Sequence, residues 1–289
     1  MSTGRSKNTL IKSGLEILRK SPHYHDLEAF WIRSNLEELY RTLTEEKALE
    51  QWDEALDKLA QGYPMGRVLP CTYFYGFKIF NHPDVLIPRP DSEVLVEAVL
   101  NKALDLLKKA SDKSTLRITE LGCGTGALLL ALAKLLLEKG YNNFKIYGTD
   151  ISEAAVETAL WNRNYHGLKD YIEIEQADLW PLEIKEGVWT CDLLYSNPPY
   201  LRHDEFVSSD LDLYEPGLAL DGGSEGLDII QRILAEGAHY LTEGTEVYIE
   251  HGPDQAESIR PLAERYGWKD LGVIEDLAGR DRVSCFSLK

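Results

Sequence analysis

No apolar run in this chain approaches the ~20 residues that a helix needs to cross a bilayer. The longest, Ala127 to Leu137, is broken by Lys134 and reads as a buried helix. The N-terminus lacks a charged segment followed by an apolar core, so no secretory signal peptide is read there. Cysteine is scarce and scattered. Cys71, Cys123, Cys191 and Cys285 form no C-x-x-C pair and have no histidine cluster nearby. That spacing argues against a zinc site or a disulfide framework and suits a reducing compartment. Positive charge is also in short supply, with 31 Lys and Arg against 48 Asp and Glu, a net charge of −17. A field of that sign repels phosphate backbones unless a local basic patch overrides it. The basic cluster is confined to residues 1–20, where Arg5, Lys7, Lys12, Arg19 and Lys20 face only Glu16. It reads as the basic first helix of a cytoplasmic protein, with a mitochondrial transit segment as the alternative. No stable nucleic-acid binding, no membrane association and no metal are expected, and a monomer is the expected state.

What is present is an ordinary globular composition, 44% hydrophobic and 27% charged over 289 residues. This length accommodates one large α/β domain and a smaller one. Residues 1–80 read as helical, with apolar residues at three- and four-residue spacings around Leu10–Leu18, Leu27–Leu43 and Glu45–Ala60. Thr44 followed by Glu45 and Glu46 suits a helix start, because carboxylates favour the positive end of the helix dipole. Residues 21–60 hold ten acids and four bases, an acidic face that is either solvated surface or a docking surface. Turn residues from Gly62 to Pro70 precede an aromatic stretch, Tyr73–Phe80, that reads as a hairpin linking to about residue 85.

Residues 86–289 alternate strands and helices. Strands are read at Leu116–Leu121, Phe144–Thr149, Tyr171–Gln176, Asp192–Ser196, Glu246–Glu250, Gly272–Glu275 and Val283–Leu288. Helices are read at Ala127–Glu138, Glu153–Asn162, Leu227–His239 and Gln255–Tyr266. Such alternation implies a Rossmann-like α/β domain with a largely parallel sheet, whose ligands sit outside the carboxyl ends of the strands.

Two motifs fall at such ends. Glu120-Leu121-Gly122-Cys123-Gly124-Thr125-Gly126 follows a strand and opens a helix. Its glycines permit positive φ and close approach to a bulky ligand. The spacing is G-x-G-x-G, not the G-x-G-x-x-G that offers a helix N-terminus to a pyrophosphate. Glu120 is a candidate for the ammonium of an amino-acid-bearing cofactor. Asp150, ending the next strand, is a candidate bidentate acceptor for ribose hydroxyls. Asp178, ending the third, is placed for an adenine edge with Leu179 as an apolar wall. Acids ending successive strands favour S-adenosylmethionine over a nicotinamide cofactor.

The second motif is Asn197-Pro198-Pro199-Tyr200, after the apolar strand. Two prolines remove two backbone donors and fix φ, so the chain leaves the sheet in a stiff shape. An amide nitrogen is a poor nucleophile, because its lone pair is delocalised into the carbonyl. The Asn197 side-chain oxygen and the Pro198 carbonyl can hold its two N–H bonds, and Tyr200 can pack on the flat group. Positioning and local electrostatics then dominate an in-line methyl displacement, with no strong base required.

The sequence resembles the HemK family of protein-glutamine N5-methyltransferases, which modify the glutamine of the Gly-Gly-Gln motif in peptide chain release factors. The resemblance covers nearly all of residues 85–289. It rests on Leu86-Ile87-Pro88-Arg89-Pro90-Asp91-Ser92-Glu93, the loop Gly122–Gly126, Asn197–Tyr200, Tyr214-Glu215-Pro216 with Ala219-Leu220, Glu250-His251-Gly252 with Gln255, and Gly279 with Asp281-Arg282. The resemblance implies that Gly122, Cys123, Gly124, Thr125, Gly126 and Asp150 line the cofactor and that Asn197 touches both cofactor and substrate. It implies that Pro198, Pro199 and Tyr200 hold the glutamine, that Arg89 and Glu93 shape the entrance or form an ion pair, and that the helical N-terminal domain engages the release factor. Family members place Trp directly after the acid of the third strand, whereas here Leu179 precedes Trp180, which leaves the adenine contact open between them. The segment Tyr63-Pro64-Met65-Gly66-Arg67 also departs from the family pattern. Competing readings are a ribosomal-protein glutamine methyltransferase, a nucleic-acid base methyltransferase that flips its target into the Asn197–Tyr200 pocket, and a non-catalytic binding module.

Overall fold

The computed structural model describes residues 7–18, 35–39, 41, 44–61, 63–109, 114–181, 188–209 and 214–289. The chain divides into two compact units, Met1–Asn81 and His82–Lys289.

The first unit contains α1 (Lys7–Leu18), helical residues 35–39, α2 (Glu45–Ala60), a short α3 (Met65–Val68) and an antiparallel hairpin of β1 (Cys71–Phe74) and β2 (Phe77–Phe80). The expected helix Leu27–Leu43 lies mostly outside the described residues. In α2 the buried residues Ala48, Trp52, Ala55, Leu56 and Leu59 recur at helical spacing and form one stripe against Leu10, Leu36 and Leu39. Thr44 sits at the N-cap of α2 with extended backbone but makes no side-chain capping bond, so the two glutamates carry the start signal. The hairpin turns at Tyr75 and Gly76, both with positive φ, the pairing a tight two-residue turn requires. Asn35 pins β1 to the helical residues: its Nδ2 donates to the Cys71 carbonyl at 3.1 Å and its Oδ1 accepts the Cys71 N–H at 2.9 Å. All four groups are buried, so losing the amide would strand two backbone groups at ~1–3 kcal/mol each.

The second unit is a seven-stranded sheet with helices on its faces. The order is β5-β4-β3-β6-β7-β9-β8, with β3 (Leu116–Leu121), β4 (Phe144–Asp150), β5 (Ile172–Gln176), β6 (Leu193–Ser196), β7 (Glu246–Glu250), β8 (Trp268–Glu275) and β9 (Asp281–Leu288). Strands β3 to β7 pair in parallel and β9 runs against both neighbours. The central strand β6 is buried at every position, as a parallel strand covered on both faces must be. Strand order reverses at β3, which lies between β4 and β6, and that switch point is where such sheets open a crevice.

The helices are α4 (Glu93–Lys109), α5 (Ala127–Glu138), α6 (Glu153–Tyr165), α7 (His203–Ser208), α8 (Asp228–Tyr240) and α9 (Ala256–Arg265). The sequence reading carried no helix at α4. Strand β8 also begins at Trp268, four residues before the expected Gly272, because a bulge between Asp270 and Gly272 interrupts the alternation. Among the described residues, no helix is long and apolar enough to cross a membrane.

Candidate active site

The loop after β3 turns on three glycines with left-handed backbone, Gly122 (φ 72°), Gly124 (φ 54°) and Gly126 (φ 76°). Two of them serve different ends. At Gly126 a Cβ would stand 3.0 Å from that of Ala159, so the loop is pressed onto α6; at Gly122 a Cβ would meet nothing within 4 Å and would project into open space. The Cys123 N–H donates to the Thr149 carbonyl at 2.8 Å and stitches the loop to β4. The Gly124 N–H donates to Asp150 Oδ2 at 2.8 Å, and the Ser152 N–H to Oδ1 at 2.9 Å. Each carboxylate oxygen thus retains accepting capacity. Burial raises the Asp150 pKa, and these backbone donors oppose the rise.

A cavity of about 300 Å³ opens beside this loop. Among the sequence candidates, Gly122, Gly124, Asp150, Asp178, Leu179, Asn197 and Pro199 line it; Val85, Leu86 and Leu218 add apolar wall. Cys123 and Thr125 are buried, and the Thr125 carbonyl accepts Asn162 Nδ2 at 3.0 Å. Neither they nor Gly126 lines the cavity. Glu120 is also absent from its lining: the carboxyl is buried, accepts the Tyr195 phenol proton at 2.8 Å and has its pKa raised well above the ordinary value by burial.

The third strand end is more crowded than its sequence suggests. Asp178 receives a two-pronged contact from Arg232, Nη1 to Oδ1 at 3.0 Å and Nη2 to Oδ2 at 3.2 Å. Leu179 has φ 62°, an uncommon state for a residue with a Cβ, and its carbonyl accepts the Thr149 hydroxyl proton. This turn puts Leu179 on the cavity wall and sends Trp180 into the core beside Tyr240, fully buried.

Strand β6 ends at Ser196, whose hydroxyl donates to the Leu121 carbonyl at 2.7 Å and locks it to β3. The corner Asn197–Tyr200 follows. Asn197 Nδ2 donates to the Ser92 hydroxyl at 2.9 Å, which leaves the side-chain oxygen as the free end. No backbone N–H among the described residues reaches the Pro198 carbonyl. Behind the corner the chain is strapped from three directions. The Leu201 N–H donates to Leu220 and the Gly222 N–H to the Leu201 carbonyl, at 3.0 and 2.8 Å. Gln255 Nε2 donates to the Tyr200 carbonyl at 2.9 Å while its Oε1 accepts the Gly252 N–H at 2.8 Å. Gly222 and Gly226 press so close that a Cβ would stand 2.7 Å from the Pro199 carbonyl oxygen and 2.3 Å from that of Tyr200.

Tyr200 lies on a second, more polar cavity of about 510 Å³, with Arg202, Gln255, Arg280 and Arg282 also on its walls. The four-residue corner therefore contributes to two cavities, Asn197 and Pro199 to one and Tyr200 to the other. Arg89 pairs with the buried Glu215 at 2.8 Å, an ion pair with a partner other than Glu93. Burial raises the Tyr200 phenol to about 12.

Residues 112–243 match a methyltransferase domain model. Two curated relatives named release factor glutamine methyltransferase are similar over most of their length. That of Clostridium botulinum is 34% identical, covering 84% of this chain and 82% of its own; that of Agrobacterium fabrum is 35% identical, covering 80% and 76%. The chain belongs to the release factor glutamine methyltransferase family. Among solved structures, the hMettl16 catalytic domain in complex with MAT2A 3'UTR hairpin 6 superposes with a TM-score of 0.55 at 16% identity, covering 78% of this chain and 81% of that one, and shares the fold. For a methyltransferase of this family, the sequence reading gave no role to Ser92, Glu250 or Gln255, although all three stand in motifs it quoted, and it passed over Gly222 and Gly226. Two glycines four residues apart ahead of a helix were the available signal.

Proposed function

We propose that this chain transfers a methyl group from S-adenosylmethionine to the side-chain amide nitrogen, N5, of the glutamine in the Gly-Gly-Gln motif of a peptide chain release factor, leaving S-adenosylhomocysteine and one proton, lost from the nitrogen as the new C–N bond makes it acidic. The residues present fit that cofactor. Open space over Gly122 suits close approach of a bulky group, the Asp150 carboxylate retains acceptor sites for a diol, and Leu179 offers an apolar wall for a flat base. When bound, the cofactor supplies an electrophilic methyl on a positively charged sulfur.

The observation that carries the reading is the corner itself, a rigid polar segment with Asn197 and Tyr200 on different cavities. Asn197 Oδ1 and the Pro198 carbonyl accept the two N–H bonds of the substrate amide and turn its nitrogen toward the cofactor side. Tyr200 packs on the flat carboxamide. Held this way, the amide reaches a reactive geometry without a search, which is worth several powers of ten in rate. The N-terminal unit, with its acidic residues between 21 and 60, engages the release factor. Four cysteines, all free and buried, suit residence in the cytoplasm.

The test is mass spectrometry of whole release factor and of a Gly-Gly-Gln peptide after incubation with isotope-labelled cofactor. A single added methyl on the motif glutamine is the expected product. Methylation elsewhere, or of RNA or a ribosomal protein in preference, would replace this reading.

A further inference from the structure

Gln255 stands at the N-cap of α9, where a side chain ordinarily turns back to bond its own helix. It makes no such bond. Among the described residues its side chain goes instead to loop backbone behind the corner Asn197–Tyr200. Oε1 accepts the Gly252 N–H at 2.8 Å, and Nε2 faces the carbonyls of Tyr200 at 2.9 Å, Gly226 at 3.3 Å and Glu225 at 3.5 Å. Gly226 makes room for this amide, since a Cβ there would stand 2.6 Å from Nε2.

The bond to Tyr200 falls at a place the corner cannot hold by itself. Pro198 and Pro199 have no N–H to tie it from within. Among the described residues no backbone N–H reaches the Tyr200 carbonyl. The peptide plane that leaves the corner is thus gripped at two ends, its N–H by the Leu220 carbonyl at 3.0 Å and its carbonyl by Gln255. That plane adjoins the Tyr200 Cα, so its tilt aims the ring, which stands on the polar cavity. The Gln255 amide works in one orientation only. Turned over, it would set its oxygen against three carbonyl oxygens and its NH₂ against the Gly252 N–H.

We propose that Gln255 is a positioning residue for methyl transfer, gripping the Tyr200 carbonyl from behind so that the ring is held against the substrate amide. This rests on the reading of the corner as the amide clamp. Gln255 belongs to the transfer side of the site and lies on the wall of the polar cavity, not of the cavity that contains Asp150.

The experiment uses the full chain with Gln255→Ala and Gln255→Glu and follows kcat, KM and S-adenosylhomocysteine affinity between about pH 5.5 and 8. Gln255→Ala should lower kcat roughly tenfold, with KM and S-adenosylhomocysteine affinity within about threefold. Gln255→Glu keeps the shape and the bond from Gly252, yet its charged form sets an acceptor against the Tyr200 carbonyl. At pH 8 it should therefore be slower than Gln255→Ala, roughly 100-fold below the parent. A protonated carboxyl regains one donor, so the ratio of variant to parent rate should climb about tenfold as pH falls to 5.5. Arg202, Glu205, Glu225, Asp254, Arg280 and Arg282 share the cavity wall, and measuring the parent at each pH removes their own titration from that ratio. A side chain that only filled space would give the opposite order, with Gln255→Glu the better variant and no dependence on pH. A further readout needs no substrate: the Tyr200 carbonyl carbon signal in an NMR spectrum should move upfield in Gln255→Ala as its hydrogen bond is lost. Should Gln255→Glu fail to fold, Gln255→Ala, which only removes atoms, carries the test. A kcat within twofold of the parent in Gln255→Ala, a Gln255→Glu variant faster than Gln255→Ala at pH 8, or an unmoved Tyr200 carbonyl signal would each overturn the proposal. Failure of the parent to methylate release factor would strike the substrate assignment instead, leaving the carbonyl signal to judge Gln255.

Discussion

The sheet edge on which the proposed chemistry falls has two halves held by different means. On the β3–β4 side, Asp150 is fixed by the N–H groups of Gly124 and Ser152, and the loop itself by the Thr149 carbonyl. On the β6–β7 side, Asn197 is fixed by a side chain, the Ser92 hydroxyl. Backbone amides do not titrate, so the donors of the first half are the same at any working pH. A serine hydroxyl can donate as well as accept, so the bond that holds the second half can turn round. Affinity for the cofactor and competence for transfer are thereby separable.

The largest effect should come from Asn197→Ala. Loss of the proposed amide acceptor is expected to lower kcat by roughly 10²–10³-fold, while calorimetric affinity for S-adenosylhomocysteine changes only a few-fold. Equal losses in both would dissolve the division between the halves. Glu250→Gln sharpens it from the side of stability. The folded-state pKa of Glu250, about 7, lies above the ordinary 4.5. Below about pH 4.5 both states are protonated and variant and parent should match. Between about pH 4.5 and 7 the unfolded parent ionises while the folded one holds its proton, and above 7 the fold must carry a buried charge, so by about pH 8 the variant should be up to about 3 kcal/mol more stable in urea unfolding. A variant no more stable than the parent at pH 8 would mean the charge is better solvated than its burial indicates.

Asp150→Ala tests the backbone-held half. Removing a charged acceptor is expected to weaken cofactor binding about 30-fold, about 2 kcal/mol, with kcat at saturation largely kept. Asp178→Asn should have the smallest effect, under about threefold in affinity. That carboxylate is half exposed and already engaged by Arg232, so little of it is left for a ligand. A larger loss would mean Arg232 releases Asp178 when the cofactor enters.

Much of this was legible from residue order. Gly122–Gly126 after an apolar strand, and two prolines closing another, are local features whose geometry follows from φ preferences alone. The helix α4 was not read, although Glu93 and Lys108–Lys109 mark its ends in the expected sense. Leu95, Val96, Ala98, Val99 and Leu100 are all buried, so no clean polar face separates a core stripe from its surroundings. Partners distant in sequence were equally invisible. Ser92 stands 105 residues from Asn197, and Arg232 stands 54 from Asp178, and no spacing rule links either pair. The family motifs carried Ser92 and Gln255 as letters; only their contacts give them tasks. Trp180, one position from the cavity wall, shows how a single left-handed residue, Leu179, decides which of two neighbours faces the cavity.

Gly222 and Gly226 give the corner a backing with no thickness to spare. A methyl added at either would occupy space already held by the Pro199 or Tyr200 carbonyl. The shape of the corner is therefore written partly on its reverse side, in the backbone of two glycines. A lesion there would mimic loss of a catalytic group while leaving every group of the reaction in the chain.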